Sequence, residues 1–129
     1  MRTIMIGLAM AVLATQAAAQ NQTAGFFAFR GEGERGWEAT CTLQRVGGRT
    51  LQREMTGPRD AQQVIAARSI IGGRCEFRAS TTGPLTLEFD DTRFQCPFTS
   101  PPGTCGTVIA AGQSGAFDVR IRNLSLIHI

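Results

Sequence analysis

Four cysteines, a single histidine and ten carboxylates, with no lysine and no tyrosine, are the reactive side chains this 129-residue chain offers. Cys41, Cys75, Cys96 and Cys105 form an even set in a small chain, which reads first as a disulfide framework. Zinc would need closely spaced thiolates or histidine partners. No CxxC occurs and the histidine is His128, so neither a metal site nor a cofactor is expected. Of the three possible connectivities we expect Cys41–Cys75 and Cys96–Cys105. The first two fall on inward positions of alternating segments, and the second two flank the Pro101-Pro102-Gly103 loop.

Catalytic constellations are thin. Ser–His–Asp, Cys–His and Ser–Lys arrangements all lack a base, since there is no lysine and His128 lies in the tail set apart below. There is no GxSxG elbow, HExxH, P-loop or dinucleotide-binding glycine pattern. Glu88 with Asp90 or Asp91 offers paired carboxylates near one strand end, which glycoside hydrolysis requires. Acids in that position also end strands and discourage edge pairing. The expectation is therefore no catalytic residue, with a small carboxylate-dependent hydrolase as the alternative. Arg74 and Arg78 share one outward face, and Arg120 and Arg122 another. If those strands are neighbours, four guanidinium groups make an anion-binding face for phosphate or carboxylate on an envelope polymer.

All thirteen basic residues are arginine and the formal net charge is +3. Charges of both signs are interspersed (Arg30, Glu32, Glu34, Arg35; Arg74, Glu76, Arg78) rather than forming the basic stripe that nucleic acid selects. No nucleic-acid partner is expected.

The first nineteen residues have the layout of a secretory signal peptide. Arg2 supplies a positive start, residues 4–14 an apolar run, and Ala17 and Ala19 the small residues of a cleavage site. The run is too short to span a bilayer, and no stop-transfer segment follows. This predicts a mature chain from Gln20 in the periplasm or the extracellular medium, with no membrane span. Asn21-Gln22-Thr23 is a sequon of consequence only in a glycosylating pathway.

The elements that must position these residues read as short strands. Trp37, Ala39, Cys41 and Leu43 alternate with Glu38, Thr40, Thr42 and Gln44, the period of a half-buried strand. A three-residue loop, Val46-Gly47-Gly48 with Gly48 left-handed, would bring Leu43 opposite Leu51. Residues 57–73 are ambiguous. Asp60 and Gln63 could cap a helix, but the β-branched pairs Val64-Ile65 and Ile70-Ile71 favour a strand. Cys75, Phe77 and Ala79, then Leu85, Leu87 and Phe89, alternate about a Thr81-Thr82-Gly83-Pro84 turn and predict a hairpin. Short strands are also expected at Phe94–Phe98, over residues 105–111, and through Phe117, Val119 and Ile121. Together these predict an all-β domain over residues 20–123: a small antiparallel β-sandwich of seven to eight strands, immunoglobulin-like in general build.

Residues 124–129, LSLIHI, resemble the translation of a transposase mosaic-end adapter, and we set this tail apart as non-native. The function expected is that of an exported, disulfide-stabilised binding or accessory module of the cell envelope, acting on a protein or envelope polymer. The alternatives are the carboxylate hydrolase and the truncated first module of a longer surface or adhesin protein.

Overall fold

A computed structural model describes residues 24–57, 61–90 and 93–122. The expected leader and its sequon, Asp60, Asp91, His128 and the tail at 124–129 lie outside the described residues. Among those described there are seven strands and no helix: β1 (Gly25–Gly33), β2 (Glu38–Arg45), β3 (Thr50–Thr56), β4 (Gln63–Arg78), β5 (Leu85–Phe89), β6 (Gly106–Ile109) and β7 (Ser114–Arg120).

The expected sandwich of two sheets is not what the hydrogen bonds build. All seven strands belong to one antiparallel sheet in the order β3-β2-β4-β1-β5-β6, with β7 also on β4. The sheet curls until its apolar face meets itself. Phe89 on β5 and Phe117 on β7 have ring centroids 5.8 Å apart, although β1 and β4 separate their strands in the ladder. Phe29 also meets Phe117 edge-on at 5.2 Å. Nineteen buried residues form one cluster on this inner face. One core, enclosed by the curled sheet, therefore carries the hydrophobic stabilisation.

The curl is made by β4, the longest strand. Residues Gln63–Ile70 pair with β1, while Gly72–Arg78 pair with β2 and β7. Between the halves lies a bulge, with Ser69 at a φ of 61° and register shifts against both β1 and β2. The inward set runs Ile65, Ala67, then Ile70, then Cys75 and Phe77, so alternation is broken at the bend. Bulges of this kind increase local twist and re-aim a strand. Gly72 and Gly73 lie within the strand, so residues 63–78 take the strand reading and not the helix.

Two further expectations need correction. The segments around residues 75–79 and 85–89 are strands with the expected inward faces, but they do not form a hairpin: β5 pairs with β1 and β6. Phe94–Phe98 contributes only the bridge Phe94↔Ile121. In the first case alternation specified which face is wet and said nothing of which strand lies alongside; in the second it did not hold, since Cys96 is exposed although Phe94 is buried. The β2–β3 connection is as read. Arg45 N–H donates to Arg49 O, Leu43 faces Leu51, and Gly47 and Gly48 both have positive φ.

Candidate functional site

Both disulfides join the expected partners, and no described cysteine is free. Cys41 and Cys75 face each other directly across β2 and β4, with Cα atoms 4.0 Å apart. This bond therefore staples neighbouring strands from inside the core. Cys96–Cys105 closes a loop beside β5 and β6, with Cys96 exposed.

That loop is held by its own polar atoms. Thr104 Oγ1 donates to Pro101 O at 2.7 Å, which leaves the Ser100 hydroxyl to donate to Thr104 Oγ1 at 2.8 Å. Ser100 Oγ in turn accepts from Gly106 N–H at 3.3 Å, tying the loop to β6. Phe89 N–H donates to Cys105 O at 2.9 Å, tying it to β5 as well. The loop is thus fixed at its base by a covalent ring and along its length by hydrogen bonds. It forms one wall of a groove of about 550 Å³ over β5 and β6, and also borders a smaller cavity of about 270 Å³ that reaches Phe94, Cys96 and Arg122.

The floor of the larger groove carries charge. Arg30 on β1 lies opposite Glu88 on β5, and its Nη2 donates to Glu88 Oε2 at 2.9 Å and to Asp90 Oδ1 at 2.5 Å. Two of the three acids read as a carboxylate pair therefore converge, with a guanidinium nitrogen standing between them. Thr104 and Thr107 add hydroxyls to the same walls. One positive and two negative formal charges leave the groove an acidic excess. Arg30 and the loop hydroxyls had no signature in the sequence. Arg30 is one outward residue among several until β1 is known to lie beside β5.

The candidate anion-binding arginines are placed as follows. β4 and β7 are neighbours, so Arg74, Arg78 and Arg120 do share one outer face, with Arg122 just beyond the end of β7. Each of the three on the strands meets a carboxylate. Arg74 reaches Asp118 at 3.4 Å and Glu76 at 3.7 Å, Arg120 reaches Asp118 at 3.2 Å, and Arg78 reaches Glu38 at 3.0 Å. Charges of opposite sign alternate across these strands, and the local field is largely cancelled.

Compared with protein-family models, with curated proteins and with solved structures, the chain has no significant match. No helix among the described residues is long and apolar enough to cross a membrane.

Proposed function

We propose that the protein is an exported accessory module that works by binding, and that its ligand enters the groove between β5, β6 and the Cys96–Cys105 loop. The observation that carries this reading is a groove with a covalently braced wall and a charged floor. Rigid walls reduce the ordering cost of binding, and a few placed polar groups orient a ligand. Two disulfides in so small a domain are consistent with an oxidising, extracytoplasmic setting. The secretory layout of residues 1–19 supports the same destination, in the periplasm or outside the cell. The acidic excess favours a cationic or hydroxyl-rich group on a protein or envelope polymer. The arginine face is the weaker candidate, because an anion there must displace Asp118 and Glu38.

Convergence of Glu88 and Asp90 favours one second reading, a carboxylate-dependent hydrolase. Against it stands the Arg30 nitrogen between the two acids, where the scissile bond of a glycoside would have to sit. Amide chemical-shift mapping of the oxidised protein, titrated with soluble peptidoglycan fragments and with oligomeric amino sugars, tests the binding reading. Shifts confined to β5, β6 and the disulfide loop, with the probe recovered intact, are the expected result. Shifts centred on Arg74 and Arg120 would move the site to the other face. Cleavage of the probe that is lost in Glu88→Gln would establish the hydrolase instead.

A further inference from the structure

β3 ends the sheet on the side away from the groove, and its hydrogen bonds show what that edge presents. Arg45 N–H donates to Arg49 O, and Gly57 N–H donates to Trp37 O. Both pairs keep the register that sets Leu51, Arg53 and Met55 opposite Leu43, Cys41 and Ala39. In an antiparallel ladder bonded pairs alternate with unbonded ones. The odd residues of β3 therefore bond to β2, while Thr50, Gln52, Glu54 and Thr56 turn their backbone N–H and C=O groups to the open side. No bulge interrupts this register and no proline blocks it. Among the described residues, the one group bonded to that row is Arg53 Nη1, which donates to Gln52 O at 3.3 Å.

We propose that this edge accepts an extended strand from a different protein, added antiparallel to β3, with a carboxylate opposite Arg53 and apolar residues opposite Leu51 and Met55. Main-chain bonds give such additions their affinity, and alternate side chains give them their specificity. The core-side row of β3 reads apolar, basic, apolar, with Leu51 half-buried and Arg53 exposed. An acidic residue opposite Arg53 would draw the guanidinium off Gln52 O and release that carbonyl to the new ladder. A second copy of this chain is a poor occupant. Full two-fold register sets Arg53 against its own counterpart, and like charges directly opposite repel. This proposal is independent of the groove, which lies over β5 and β6.

The Arg53→Glu variant is a ready probe, because its own β3 reads Leu51, acid, Met55. Sedimentation of wild type mixed with Arg53→Glu should show a heterodimer, held roughly tenfold more tightly than either protein holds itself. Gln52→Pro removes an edge donor without touching the β2 ladder, and proline is tolerated on edge strands. In the wild-type background it should abolish the heterodimer while leaving the melting temperature near that of wild type. Exchange protection of the Gln52 and Glu54 amides in the mixture would place the contact on the edge. Absence of a heterodimer, its survival with Gln52→Pro, or equally strong self-association of the wild type would overturn the proposal.

Discussion

Arg30 spends one nitrogen on two carboxylates, while its Nε–H is buried without a partner among the described residues. All three side chains are about a third to a half exposed, so the ion pairs stabilise the fold only modestly. Arg30→Met also removes the orphaned donor, and we expect stability to change by no more than about 1 kcal/mol in chemical denaturation. Binding at the groove should suffer far more. Trp37 is the opposite case: its ring is fully enclosed, with Nε1 unpartnered among the described residues. Gly57 sits so close that a Cβ there would fall 1.5 Å from Nε1. Gly57→Ala should therefore cost about 1–3 kcal/mol or more, read from the shift in urea midpoint. A midpoint equal to wild type would show that the 57 backbone yields freely.

At the scale of elements, much of the chain was legible because period two is a direct record of burial. Trp37, Ala39, Cys41 and Leu43, and Leu85 with Leu87, are buried as their alternation required. The three-residue turn was legible too, because only one loop length set Leu43 against Leu51. Pairing was not, since period two is blind to neighbours. The long β4 hides a bulge that shifts alternation at Ser69, so it reads as two segments. The candidate groove depends on β1 lying beside β5, a long-range choice that no local pattern encodes. Ser69 is itself testable: β-branched residues resist positive φ, so Ser69→Val should destabilise by about 1–2 kcal/mol. The two disulfides should differ in reactivity as they differ in exposure. Cys96 is exposed while Cys41 and Cys75 are wholly buried, so mild reductant followed by timed alkylation should label Cys96 and Cys105 first. Replacing Cys41 and Cys75 by alanine should cost about 3–4 kcal/mol on the loop-entropy model.

For the whole molecule, one curled sheet with a single aromatic-rich core is a small store of stability. A domain of about a hundred residues has roughly 5–15 kcal/mol to lose, so either disulfide is a large share of it. That dependence is what links fold to location, because such a chain is robust where thiols are oxidised. Whether the protein is an exported module completed by oxidation is decided by the intact mass of protein recovered from the periplasm or medium. We expect a chain starting at Gln20, lighter by four hydrogens than its reduced form, with no free thiol. A chain retaining Met1, found inside the cell with alkylatable cysteines, would contradict it.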